Sequence, residues 1–255
     1  MYWLPCPGLA ISKQKECLYR SSTMLRASFL LPFAMLATAI GVAAQSTIFN
    51  IPSADTLPRG SWGFEVDFIA KPVSYRDGGY QTYGYRVAYG ADKKTELGSN
   101  FYYTWDGSES AAQAEFSVKQ KLFDSEKHGV KVSGGAVAFV PLRSKGDRTS
   151  IMVYGNVSKT VEQANGMTLT GGVYHVFGGS PDFGTRTGGM AAVVQPINER
   201  FSFVADWFSG HNRLGYASAG LNYNITKKQY LLTGYSFGNS GRGNNALAAY
   251  YGFTF

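Results

Sequence analysis

The chain has 255 residues, rich in glycine (31), tyrosine (17) and phenylalanine (17), with a formal charge of +7. Charged residues are only 16%, against roughly 25% in an average soluble domain, and the slightly negative mean hydropathy of −0.14 excludes a bundle of membrane-spanning helices. Both cysteines, Cys6 and Cys17, precede residue 24, which excludes a disulfide framework, a thiolate metal site and a cysteine nucleophile from the remainder. Basic and acidic residues are interleaved, so nothing marks a nucleic-acid partner.

In chain order, residues 1–23 have no export character and are read as an upstream extension. Met24-Leu25-Arg26 opens a more usual n-region, Ala27 to Ala44 is the long apolar run, and Val42-Ala43-Ala44 supplies small residues at its exit. A positive start, an apolar centre and a small-residue exit define a secretory signal peptide, with cleavage expected between Ala44 and Gln45. A single membrane anchor is the competing reading, and Pro32 and the alanines favour cleavage. Residues 45–59 are then expected to form a short periplasmic arm, and residues 60–255 a barrel.

From Gly60 onward, segments of about ten residues alternate apolar and polar before a turn cluster, the period of a strand whose successive side chains point to opposite faces. In Trp62–Phe68 the even positions are apolar, and Glu65 and Asp67 share the other face. Tyr83, Tyr85, Val87 and Tyr89 alternate with Arg86; Leu97, Phe101, Tyr103 and Trp105 oppose Glu96 and Asn100; Phe116 and Val118 oppose Glu115 and Lys119; Val130 and Val132 oppose Lys131 and Ser133. Further segments are Ser150–Lys159, Met167–Phe177, Gly188–Gln195, Phe201–Ser209, Leu214–Tyr223, Gln229–Phe237 and Asn245–Phe255, making twelve. The faces are blurred in Gly188–Gln195 and Gln229–Phe237. The expectation is an all-β, closed antiparallel transmembrane barrel with up-and-down topology and its apolar face towards lipid.

An even strand number puts both ends on the periplasmic side, with the connections at 71–79, 106–110, 141–148, 178–187, 210–213 and 238–244 outside. None of these is obviously long enough to fold deep into the lumen. Trp62, Tyr89, Phe123, Phe201, Tyr223, Phe253 and Phe255 are placed in a periplasmic aromatic girdle, and Trp105, Phe139, Phe177 and Trp207 in an outer one. The ending Tyr250-Tyr251-Gly252-Phe253-Thr254-Phe255 resembles the C-terminal insertion signal of bacterial outer-membrane proteins, although the glycine often found at the place of Tyr250 is here at 252. Ser53 to Gly60 resembles the lead-in to the first strand of porin-like outer-membrane transporters. The resemblance implies bacterial outer-membrane lipid as the surroundings. It also implies periplasmic chaperones and the barrel-assembly machinery as partners, with Tyr251, Phe253 and Phe255 as the insertion signal.

Signs of chemistry are few. A hydrolase of this architecture pairs His with Ser two positions on along one strand, so that His activates the hydroxyl. His175 is followed by Val176-Phe177, His128 is in a turn and His211 in a loop, so none shows that pairing. Glu65 and Asp67 are read as members of an ion-pair ladder with Arg86 and Lys119 rather than as a catalytic pair. Asp106 and Glu109 beside an outer loop form an unspecific cation pattern, and the glycine-rich stretch 238–244 lacks the features of a phosphate loop. No cofactor or metal is expected. Two classes of function remain. One is a passive pore for a small solute, lined by Glu65, Asp67, Arg86, Glu96, Asn100, Glu115, Lys119, Lys131 and Asp206. The other is a barrel filled by side chains, Tyr154, Tyr174 and Tyr250 among them, with a structural, adhesion or binding role. For a water-filled pore, Arg86→Gln is expected to tune ion preference, and Val87→Arg to impair folding.

Overall fold

The computed structural model describes residues 47–143, 147–240 and 245–255. The extension, the signal segment Met24–Ala44 and the Ala44/Gln45 junction lie outside the described residues. Twelve strands follow one another: β1 (Trp62–Lys71), β2 (Tyr80–Gly90), β3 (Thr95–Trp105), β4 (Ser110–Ser125), β5 (Val130–Arg143) and β6 (Ser150–Val161) form the first half. The second half is β7 (Met167–Gly178), β8 (Thr187–Pro196), β9 (Phe201–Phe208), β10 (Tyr216–Thr226), β11 (Gln229–Gly238) and β12 (Ala246–Thr254). Each strand pairs antiparallel with its sequence neighbours, and β1 pairs with β12 to close the barrel. The expected up-and-down order is therefore present, and no strand edge is left unpaired.

Turn chemistry matches this path. Where the start of β1 meets the residue after β12, Trp62 and Phe255 exchange backbone hydrogen bonds of 2.9 and 3.0 Å, which locks the seam. Between β6 and β7 a single 3-10 turn ends on Asn165 in the left-handed region (φ 56°), a conformation asparagine tolerates better than most L-residues. β4 is longer than its period-two core suggests because a bulge near Leu122 absorbs one residue before Phe123 resumes pairing with Val132.

The faces are inside-out relative to a soluble sheet. Phe116 (55% exposed), Val173 (66%) and Leu221 (48%) point away from the barrel axis, whereas Asp67 and Ser133 (both 0%) point inward. Each large apolar side chain gains about 1.5–3 kcal/mol when moved from water to an apolar medium, so this outer surface is matched to hydrocarbon. Rings cluster near the strand ends where the barrel termini meet: Trp62 on Tyr89 at 4.6 Å and Phe201 on Tyr223 at 4.8 Å. Exposed Trp105, Trp207 and Phe237 lie towards the opposite end. Phe139 does not belong to that girdle. It pairs with Glu115 and Ser150, residues of the inward face, and is 6% exposed inside the lumen. The parity that puts Lys131 and Ser133 inside puts residue 139 there too.

The N-terminal arm departs most from expectation. Residues 47–58 are not a periplasmic extension; they enter the lumen. Ile48 N–H donates to the Ile51 carbonyl at 2.9 Å, closing a tight turn, and Phe49 and Ile51 are fully buried. The Phe49 ring fills a dent left by two glycines directly opposite each other, Gly220 and Gly234. A Cβ at either would fall 2.8 or 2.7 Å from that ring. Phe49 also meets Tyr250 edge-on at 5.5 Å. Phe49, Ile51, Val176, Met190, Val204, Phe208 and Leu232 join one apolar cluster inside the barrel. The β5–β12 side of the lumen is thus a small hydrophobic core with the arm as its centre.

Candidate functional site: a charged cavity beside the N-terminal arm

All nine side chains expected to line a pore do face inward. They divide by what they hold. Asp206 accepts the backbone N–H groups of Asn50 (2.5 Å) and Ile51 (2.8 Å), while the Asn50 amide reaches Ser218 (2.9 Å) and receives the Tyr250 hydroxyl (3.1 Å). Lys131 donates to both oxygens of Asp55 at 2.7 and 2.9 Å. Glu96 accepts the Leu57 N–H at 2.9 Å and pairs with Lys119 at 3.2 Å. Asn156 donates to the Pro52 carbonyl at 2.7 Å. These six polar side chains of the wall therefore anchor the arm. Only the arm's entry into the lumen reveals that role, because the partners lie 39 to 200 residues away in sequence.

On the opposite side, β1–β4 carry a charge network. The Arg86 guanidinium lies 3.1 Å from Glu65 and 2.7 Å from Asp67, with Tyr102 and Tyr250 rings at 5.8 and 5.4 Å. The Tyr102 hydroxyl donates to Asp67 at 3.2 Å, and the Tyr230 hydroxyl to Glu65. Gly252 is where Tyr230 crosses β12: a Cβ there would collide with that ring. This explains the glycine's displacement from the position of Tyr250, which needs its own ring against Phe49. Further round, Asn100 and Gln113 donate their amide N–H to Glu115 at 3.0 and 2.8 Å. Among the described residues Glu115 forms no ion pair.

A cavity of 320 Å³ runs along this charged side, bounded by the arm at Thr47, Asn50 and Leu57. Its lining extends from Gly63 and Thr254 near the barrel termini to Leu214 and Tyr216 near the far end. Over the far mouth lie the β7–β8 and β9–β10 connections, bridged through Gly184 and Asn212. Arg213 sits there between Phe139 and Phe183, at 5.0 and 5.7 Å, and donates to Gln113 at 3.0 Å. Burial lowers the Arg213 pKa, with Asp147 and Glu115 opposing the shift. These two connections thus narrow that end of the cavity without filling the lumen.

Two expected alternatives can be placed. Asp106 accepts the N–H groups of Ser108 and Glu109 at 2.9 and 2.8 Å, and these bonds hold its carboxyl below the usual range. It ties its own turn together, and no metal-holding group occurs among the described residues. His175 lies on the outward face of β7, and its Nδ1 is 2.6 Å from Thr187 Oγ1 on β8. A search for a partner along one strand misses this pair because it runs across two. No carboxylate orients the other ring nitrogen among the described residues.

No protein-family model matches the chain, and no curated protein matches its sequence. Solved structures do match. The chain is similar to the NanC porin, with 11% identity over 75% of this chain and 98% of that one, at a TM-score of 0.50. It is also similar to outer membrane phospholipase A from Escherichia coli, with 14% identity over 84% and 98% and a TM-score of 0.48. The fold is that of a bacterial outer-membrane β-barrel. A third such barrel, Omp33 of Acinetobacter baumannii, shares 12% identity over 76% of this chain and 99% of that one, at a TM-score of 0.44. Likeness at this identity speaks for architecture alone, so the activity must be argued from the lumen.

Proposed function

We propose that this outer-membrane barrel is a passive passage for small polar solutes, narrowed by its own N-terminal arm. The observation that carries this reading is the cavity beside the arm, whose lining extends from Gly63 and Thr254 to Tyr216. Twelve strands enclose more space than the eight whose interior side chains just fill, and here the arm leaves the cavity beside it open. An even strand number favours a periplasmic location for the terminal end of the barrel, and in this reading Phe253 and Phe255 engage the assembly machinery there.

Conductance in a planar bilayer tests this. Wild-type protein is expected to show small unitary steps. Phe49→Ala combined with Asp206→Asn removes the ring from its glycine dent and the charge that holds two backbone N–H groups, and should enlarge the steps several-fold. Silence from both proteins, each correctly folded, would instead support a closed structural barrel.

A second reading, a lipid-hydrolysing barrel, is favoured by one observation: the 2.6 Å contact between His175 and Thr187 on the lipid-facing surface. A histidine that accepts a hydroxyl proton activates the oxygen as a nucleophile. The check is fatty-acid release from phospholipid vesicles. Activity that disappears in Thr187→Ala would establish this reading; no release by wild-type protein leaves the chain a non-enzymatic barrel.

A further inference from the structure

We infer that the cavity is a binding site for a small organic cation, centred on the Glu115 carboxylate. This rests on the passage reading only for its consequence in transport, because the binding chemistry is local. The argument begins with charge. Every cation around the cavity is already engaged: Arg86 by Glu65 and Asp67, Lys119 by Glu96, and Arg213 by Gln113 and two aromatic rings. Among the acids Glu115 differs. Its two oxygens are held only by the neutral amides of Asn100 and Gln113. The Gln113 amide is itself fixed in orientation, since its oxygen is taken by Arg213, which leaves its nitrogen to face Glu115. No cation pairs directly with this carboxylate, although Arg86 and Arg213 attract it from further off, and the charged groups around the cavity, Glu65, Asp67, Glu96 and Glu115 against Arg86, Lys119 and Arg213, leave one net negative charge. An uncompensated charge away from bulk water is costly, and a cationic guest removes that cost.

The rest of the lining suits an organic cation rather than a bare metal ion. Phe139, Tyr102, Tyr154, Phe208 and Tyr216 border the same cavity. Aromatic faces attract ammonium groups and are the usual walls of quaternary-ammonium sites. The Tyr154 and Tyr216 hydroxyls make no hydrogen bond to a described residue, which leaves them to meet polar atoms of a guest. A volume of 320 Å³ is that of a small-molecule pocket, far larger than a dehydrated metal ion needs.

The experiment is calorimetric titration of the purified full-length barrel in detergent with tetraethylammonium, and separately with benzenesulfonate. Saturable binding of tetraethylammonium and none of benzenesulfonate is expected. Glu115→Gln should weaken the affinity at least tenfold, and Glu115→Asp should retain most of it. Should Glu115→Gln lose the heat-modifiable folded band, Tyr154→Leu, which leaves the carboxylate and its amides in place, should still weaken binding several-fold. Equal affinity in wild type and in these variants, or preference for the sulfonate, overturns the proposal. Titration in detergent requires no conduction. Binding without conductance therefore defeats the passage reading alone, and conductance without binding defeats this site alone.

Discussion

Arg86→Gln is expected to destabilise the folded barrel by about 3–5 kcal/mol, the usual cost of removing one partner from a buried ion pair. A residue lining open water would give no such effect. Here, however, the Arg86 side chain is 17% exposed and that of Asp67 is 0% exposed, so glutamine leaves two carboxylates facing each other with no cation and little water. The Tyr102 and Tyr230 hydroxyls can still donate to them, but neutral donors do not offset two like charges. Adding Glu65→Gln and Asp67→Asn to Arg86→Gln removes both charges and keeps acceptors for the two tyrosines. That triple variant should recover most of the lost stability. Urea unfolding midpoints in lipid vesicles provide the measurement. A single variant within about 1 kcal/mol of wild type, below the cost of a broken buried pair, would show that water from the cavity reaches and solvates both carboxylates once the cation is gone. The mild tuning role expected for Arg86 in an open pore would then stand.

Val66→Arg is expected to cost about 2–4 kcal/mol, the penalty for a cation on the lipid face at the bilayer midplane. Val66 is central in β1 and pairs with Tyr85 and Tyr251, which share its outward face. Val87 lies on the same face, nearer the end where the barrel termini meet. Val87→Arg should therefore cost less, because the penalty falls towards the interface as the long side chain reaches headgroups. The same vesicle unfolding series reads both. Equal costs at the two depths, or no cost at either, would contradict a hydrocarbon surround for this surface. The two predictions separate cleanly: one substitution removes a cation from inside, and the other adds one outside.

The barrel wall was readable because its information is local. In β1, Trp62, Phe64, Val66 and Phe68 alternate with Glu65 and Asp67, and a period of two needs no knowledge of distant residues. Turn residues bound each run, and twelve such runs without a long helix leave few ways to arrange the chain. Where alternation was blurred, as around Met190 and Leu232, the reason is now physical. These inward positions are apolar because they join the buried cluster that includes Phe49 and Ile51 of the arm rather than meeting water. An inward leucine in a water-filled pore would violate the pattern; in a small core it obeys the usual rule of burial.

The candidate site was only half legible. Inward charge on β1–β4 followed from parity, and so did an ion-pair ladder involving Glu65, Asp67 and Arg86. That Asp206 grips Asn50 and Ile51, that Gly220 and Gly234 make room for Phe49, and that His175 meets Thr187 did not follow. Each is a contact between segments whose spacing carries no periodic signal. By itself the sequence determined strand number, topology and, where alternation was clear, which face meets lipid, since these depend on neighbours one or two residues away; Phe139 and the blurred faces of β8 and β11 needed the structure. Only the tertiary structure decided that residues 47–58 occupy the lumen, and so which inward groups hold the arm and which line the remaining cavity. Those depend on where a closed cylinder brings side chains together across its interior, a distance that no local pattern encodes.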